Sequence, residues 1–352
     1  MTIDTTSAAR GAAPPMGHAR TMQAITQERY GAADVLRLSE IQRPTAGTGE
    51  VIIEVRAAGV DRGVWHLMTG LPYLIRLLGY GLRRPSHPVL GMDVSGTVVA
   101  AGVGVERISV GDEVFGIARG AYAEYAVAEE GKLAHKPENL TFEQAAVAAI
   151  SGITALQALT DVGRIEPGMR VLVIGASGGV GTYTVQLAKA MGATVTGVAS
   201  GAKADLVRSL GADYVVDYVG DDYLEGAVRY DLIIDIGGRN PLRRIRRALR
   251  PNGTLVIVGG EGGDRWTGGI GRQLRTLVAS LFVPQRMTMF ISSEAHTHIE
   301  RLATYLEAGS VVPTIGQRFT LANVAEAMRQ LEAGRIRGKA VVVVSEGAED
   351  AR

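Results

Sequence analysis

Residues 171–181 read VLVIGASGGVG and pass directly into a helical run, TYTVQLAKAMG. A short Val/Ile/Leu strand that hands over to a helix through a glycine-rich turn is a narrow constraint. The turn must let two backbones approach closely, and the helix behind it presents N–H groups with no intrahelical partner. Gly178 and Gly179 would let backbone approach an anion such as a pyrophosphate, with Val180 in the first helical turn, and Gly181 would allow the helix to pack against the strand. The spacing, G-x-x-G-G-x-G, is one residue longer than the strict dinucleotide fingerprint, which leaves a purely structural turn as the competing reading. Glycine is also abundant throughout, at 46 of 352 residues, without the period that a fibrous chain would show.

Downstream, the pattern strand, helix, strand continues through TVTGVAS, KADLVRSLG, YVVDY, LIIDIG, PLRRIRRALR and TLVIVGG. Repeated apolar strands separated by helices predict βαβ units around a parallel sheet. In PLRRIRRALR, Leu242, Ile245 and Leu249 form an apolar stripe, and Arg243, Arg244, Arg246, Arg247 and Arg250 a solvated face or an anion patch. Gly237 and Gly259 follow successive strands, where nucleotide crevices open. The strand ending at Ala199 and Ser200 lacks the acidic residue that would bind an adenosine ribose. Ser200 with Lys203 would instead suit a 2′-phosphate, so NADPH is expected over NADH, the alternative being that Lys203 is a solvated helix charge.

Upstream the chain is different. Short strand signals at Gln23 to Ile25, Glu50 to Val60, Val89 to Gly102, Gly111 to Gly116 and Ala121 to Ala128 predict a partly closed antiparallel barrel. A helical pattern interrupts it around Leu71 to Leu82, and Thr141 is a plausible N-cap for a long helical run. After a predicted helix at His298 to Ala308, a helix near Leu321 and the strand AVVVV close the chain; they can fold back to complete the first sheet, but periodicity does not decide which domain owns them.

There is no cysteine, which excludes disulfides and every thiolate nucleophile or thiolate-ligated metal. The formal charge of +1 and the lack of a repeated basic-aromatic pattern argue against nucleic acid as a partner. With no run of eighteen apolar residues and no secretory leader, a cytoplasmic protein with no membrane span and no membrane partner is expected.

AAGV (57–60), HPVLGMDVSGTVVAAG (87–102), GDEVFG, AYAEYAV, SGITALQAL (151–159), VLVIGASGGVG, LGADYVVDY and RGKAVVVV together resemble the medium-chain dehydrogenase/reductase superfamily, in its zinc-free quinone oxidoreductase-like branch. That resemblance implies an α/β protein, with a Rossmann parallel-sheet nucleotide domain and a GroES-like, mainly β, partly closed barrel domain. It further implies an interrupted catalytic body, 21–145 and 311–346, around a continuous nucleotide domain, 146–310, with a tail at 1–20 and a frayed end at 347–352. A cleft between the two and a homodimer are implied as well, with TLVIVGG and Trp266 to Phe290 as the region of contact. Zinc relatives carry a ligand Cys just after the AAGV-like segment and Gly-His-Glu at the GMD position. This chain has Asp61, Met92 and Asp93 there, and its histidines, His296 and His298 included, form no ligand-spaced trio, so no metal is expected.

The implied reaction is zinc-independent hydride transfer from NADPH to a quinone or to the activated double bond of an enone or enal. An enoyl-thioester reductase and a non-catalytic NADPH-binding structural, sensory or RNA-binding protein are the alternatives. Asp61 stands where relatives often have Asn, which leaves cleft contact, proton transfer and loop fixing open. Trp65 would form a pocket wall or pack, and Tyr73 or Tyr80 could supply a hydroxyl. By the same resemblance Thr154 approaches the nicotinamide, Tyr218 the adenosine and Lys339 the cofactor, whereas Tyr122 and Tyr125 look like sheet packing. The leucines of 71–82 are expected to be buried, as a substrate lid or a subunit interface.

Overall fold

The computed structural model describes residues 21–345, except 226, 238, 239, 260–264, 270, 272–275, 277–279, 281 and 282. The first strands, β1 (Thr21–Thr26) and β2 (Arg37–Gln42), pair as an antiparallel ribbon. Then come β3 (Glu50–Val60), α1 (Arg62–Thr69), β4 (Asp93–Ala101), β5 (Glu113–Ile117), β6 (Tyr125–Glu129) and β7 (Leu133–His135). The predicted helical run from Thr141 is broken into α2 (Phe142–Ala145) and α3 (Ala149–Gln157), followed by a π-turn at 158–162. Thr141 caps α2 reciprocally: its hydroxyl accepts from Gln144 N–H, and the Gln144 side chain accepts from Thr141 N–H.

The parallel half follows as β8 (Arg170–Ile174), α4 (Gly179–Ala190), β9 (Thr194–Ala199), α5 (Ala204–Ser209), β10 (Tyr214–Asp217), β11 (Tyr230–Asp235), α6 (Leu242–Ala248), β12 (Leu249–Ile257) and β13 (Arg286–Met289). The chain finishes with α7 (His296–Glu307), β14 (Ile315–Thr320), α8 (Val324–Glu332) and β15 (Lys339–Val343). Leu249, read as part of a helical stripe, opens β12 instead. Helix α6 ends at Ala248, and Ile245 is its innermost apolar side chain.

Six parallel strands stand in the order β10-β9-β8-β11-β12-β13. In sequence terms this is 3-2-1-4-5-6, the doubly wound order, whose reversal between its first and fourth strands opens a crevice at the carboxyl ends of β8 and β11. Their near-continuous burial, with only Arg170 and Asp231 less covered, follows from helices on both faces. The other sheet runs β14-β15-β3-β4-β5-β7, and β6 also pairs with β3. Its last two strands come from the far end of the chain, with Ala340 opposite Val60 and Val343 opposite Ala57.

Helix α3 lies at the seam between the two sheets and is buried almost all round. Its small residues make that possible: a Cβ on Gly152 would stand 2.4 Å from a Leu302 methyl of α7. Met92 packs against the main cores of both halves.

Candidate active site

The glycine-rich turn begins where β8 ends. Gly175 adopts φ 92°, and its N–H and that of Ala176 donate to Val198 O at 3.2 and 3.0 Å, so the turn is pinned to β9. Gly178 is the N-cap of α4 and no side chain caps that end, which leaves the first N–H groups of the helix facing the crevice. A Cβ at Gly181 would lie 2.1 Å from Gly175 O, so helix and turn touch through backbone alone. Across the crevice Gly237 N–H donates to Ile174 O at 3.3 Å, and a Cβ at Gly259 would meet Ile236 O at 2.2 Å. These contacts make a cradle of backbone that fits a pyrophosphate.

At the far end of the crevice, Tyr218 N–H donates to Ala199 O at 3.2 Å, bringing the largely exposed Tyr218 beside Ser200. Lys203 is not a solvated helix charge. Its ammonium donates to Gly334 O and Ile336 O, both at 2.9 Å, in the connection that leads to β15. Burial and then Arg337 pull its pKa below the ordinary lysine value. Arg337 was not singled out by sequence reasoning, although it stands two residues before Lys339 in the same RGK run. Asp217, at the end of β10, was missed as well; its carboxylate comes within 2.5 Å of where a Cβ of Gly201 would be.

Lys339 lies under the turn, its Cδ 3.0 Å from the Cβ position of Gly179, and Gly338 N–H donates to Ser177 O at 2.9 Å. Its ammonium is 2.9 Å from Asp93 Oδ2, with side-chain exposures of 2% and 0%. Asp93 Oδ1 accepts from Ile150 N–H at 2.8 Å. One ion pair thus ties β4, β15, the start of α3 and the nucleotide turn together. Burial pushes the Asp93 carboxyl up to about 6; Lys339 opposes the shift and the negative charge of Asp61 adds to it. On α3, Thr154 donates its hydroxyl to Ile150 O at 2.7 Å and to Ser292 Oγ at 3.1 Å.

Asp61 is the N-cap of α1, with Oδ1 accepting from Val64 N–H at 3.2 Å. Its Oδ2 is buried without a hydrogen-bond partner, as is Trp65 Nε1 one turn on. Asp61→Asn keeps the cap, since the two residues are equivalent at that position, whereas Asp61→Ala loses about 1 kcal/mol. Thermal melts of the two variants should therefore separate, and identical melting would show that the cap carries no stability.

An apolar cavity of about 240 Å³ lies between Leu67, Leu90, Met92, Ile117 and Tyr80, with Gln27 in its wall. Glu294, which pairs with Lys132 at 3.0 Å, closes its far side. That residue follows Ser292 and Ser293, the partners of Thr154 and Gln157, so the segment that closes the cavity is also the one held by α3. Gln27 is 2% exposed and its Oε1 has no partner, a signal available only once β1 is folded against α1. Of the four residues expected at the chemistry, Tyr80 lines this cavity. Asp61 and Trp65 lie outside its lining, and Tyr73 turns toward Trp266, ring centroids 5.2 Å apart.

A zinc ion does not suit the donor set. Asp93 spends both oxygens on Lys339 and Ile150, Asp61 spends one on the α1 cap, and the residue between the two carboxylate positions is the thioether Met92. Among the described residues no three His, Cys, Asp or Glu side chains gather into a metal-binding group. Nor is any described helix long and apolar enough to cross a membrane.

Residues 47–138 match the family model described as alcohol dehydrogenase GroES-like domain, and residues 210–342 the one described as zinc-binding dehydrogenase. The chain is 32% identical to mouse (Mus musculus) NAD(P)H oxidoreductase RTN4IP1, mitochondrial, over 95% of this chain and 92% of that protein. It is 30% identical to 2-methylene-furan-3-one reductase of Solanum lycopersicum, over 91% and 79%. Among solved structures, the quinone oxidoreductase from Coxiella burnetii superposes with a TM-score of 0.82 at 29% identity, over 92% of this chain and all of that one.

Proposed function

The chain belongs to the medium-chain dehydrogenase/reductase superfamily, in its quinone oxidoreductase-like branch, and from that premise we propose that this oxidoreductase reduces a quinone or an α,β-unsaturated carbonyl without zinc. The observation that carries the reading is the floor of the cleft. Where a dehydrogenase would hold its metal there is a neutralised Asp93–Lys339 pair beside Met92, and Met92 lines the apolar cavity. Such a floor offers no Lewis acid to polarise an alcohol, so it suits substrates whose carbon is already electrophilic.

NADPH, when bound, supplies the hydride. The chain's own residues do the rest. The backbone of Gly178, Gly179 and Val180 receives the pyrophosphate against the N-terminus of α4, and Gly237 and Gly259 keep the crevice open. Thr154, fixed by Ile150 and Ser292, positions the nicotinamide end. Ser200, Lys203 and Arg337 favour a 2′-phosphate, with Tyr218 beside the adenosine. Asp217 adds a negative charge at the same end, so NADH is admitted as the weaker cofactor. Tyr80 and Gln27 face the substrate with a hydroxyl and a carboxamide, and Asp61 with Trp65 supports that wall from α1.

Among the described residues β13 is the last strand of its sheet, an edge that suits a homodimer. Much of the expected contact region, Trp266 to Phe290, lies outside the described residues. The test is a panel of quinones, enones, enals and enoyl thioesters with NADPH or NADH and product identification. Oxidation of NADPH that depends on a quinone or enone, at least tenfold faster than with NADH, is expected. Turnover confined to enoyl thioesters, or none with any acceptor, would overturn the reading.

A further inference from the structure

Between Asp61 and Asp93 the chain has no acidic residue, yet it carries Arg62, Arg76, Arg83 and Arg84 among many leucines. The leucines at the outer arc of this segment are not buried. Leu77, Leu78 and Leu82 are 67%, 69% and 65% exposed. One exposed leucine needs no explanation, but three on one turn make a patch.

The turn is braced to hold them there. Gly79 and Gly81 adopt φ of 98° and 101°, a conformation that side chains resist. Ser86 N–H donates to Tyr80 O at 2.9 Å and the Ser86 hydroxyl to Gly79 O at 3.1 Å. The Tyr30 hydroxyl reaches Tyr80 O and Gly81 O, both at 2.7 Å. Arg76 faces inward: it donates from Nε to Gly70 O at 2.9 Å and lies over the Tyr30 and Tyr73 rings. Arg83 and Arg84 are exposed beside Leu82.

We propose that the turn at residues 77–84 seats the protein on an anionic lipid surface, the leucines entering the acyl boundary and Arg83 with Arg84 meeting the head-group charges. Charge complementarity chooses this occupant: leucines beside cations, in a segment without carboxylates, have the composition of an interfacial anchor. The turn is also the rim of the cavity, since Tyr80, Pro85, Ser86 and His87 line it. An apolar acceptor dissolved in lipid would thus reach the cavity without crossing water, a consequence that rests on the reductase reading; the lipid contact itself does not. The expectation of no membrane contact is thereby revised for this one surface.

The test is co-sedimentation of the full chain with vesicles of phosphatidylcholine, alone or with phosphatidylglycerol. Binding only to the anionic vesicles, weakened as salt shortens the screening length, is expected. Partitioning should fall about tenfold or more in R83Q/R84Q, and by a similar factor in the triple variant L77S/L78S/L82S. Both variants should keep the wild-type rate on a water-soluble quinone and lose it on a long-tailed quinone held in the vesicles. Equal binding of wild type and variants, or no binding to anionic vesicles, defeats the proposal. So does a change of oligomeric state in the leucine variant, which would assign the patch to a second copy of the chain. Vesicle binding without activity on any quinone, enone or enal of the panel would sink the reductase reading and support the lipid surface.

Discussion

Lys339→Met should lower stability by about 3–5 kcal/mol above about pH 6, because it leaves the Asp93 carboxylate buried without its partner, whereas Asp93→Asn, a neutral mimic of the protonated carboxyl, should cost less. The pair has 2% and 0% of its side-chain surface exposed, so water does not replace the lost partner. Replacing both residues together removes the stranded charge, and the double variant should be less damaged than Lys339→Met, giving a favourable coupling in a double-mutant cycle. The pH dependence has a definite sign. Burial raises the Asp93 carboxyl from 3.8 to about 6. Between those values the folded protein keeps a proton that the unfolded chain has released, so the contribution of Asp93 to stability declines as pH climbs through that window and is level above it. Denaturant melts across that range should show the decline in wild type and not in Asp93→Asn. Additive single-variant losses, with the same pH slope in all proteins, would mean that the contact does not couple the two halves.

How much of this was legible in the sequence differs from residue to residue, for a physical reason. The turn at 175–181 could be read because its determinants are local: a strand, glycines that admit close backbone approach, and an uncapped helix, all within a dozen residues. The parallel sheet was legible for the same reason, since each βαβ unit shows in one short stretch. The ion pair was not, because Asp93 and Lys339 are 246 positions apart and only the return of β15 to β3 brings them together. Lys203 likewise appeared to be a helix charge or a phosphate ligand, and its bonds to Gly334 and Ile336 needed the same return segment. The leucines of 77–82, expected as a substrate lid or a subunit interface, are a different case. Composition marks them as apolar surface to be covered, but what covers them depends on the rest of the fold, and within the single chain the braced turn leaves Leu77, Leu78 and Leu82 exposed.

Gly181→Ala and Gly178→Ala should separate packing from ligand approach, although both add a single methyl group to one turn. At Gly181 the new Cβ would fall 2.1 Å from Gly175 O and 2.8 Å from two Ala176 backbone atoms. None of these can rotate away, so the start of α4 must move off the strand, at a cost of about 1–3 kcal/mol. A displaced helix also misplaces the N–H groups that receive the pyrophosphate, and an ångström of misplacement is enough for a loss of roughly a hundredfold. Stability and NADPH affinity should therefore fall together. At Gly178 the backbone is extended, with φ −88° and ψ 178°, and a Cβ would meet only Gly175 O, at an ordinary 3.5 Å. Melting of Gly178→Ala should stay within about 1 kcal/mol of wild type, the size of a changed N-cap. Its methyl nevertheless stands in the open space over the turn, where phosphate oxygens must come close to backbone. A fluorescence titration should give NADPH affinity at least tenfold weaker, with stability held. Wild-type affinity in Gly178→Ala would move the cradle away from this residue, and unchanged melting of Gly181→Ala would deny the backbone contact that joins α4 to β8.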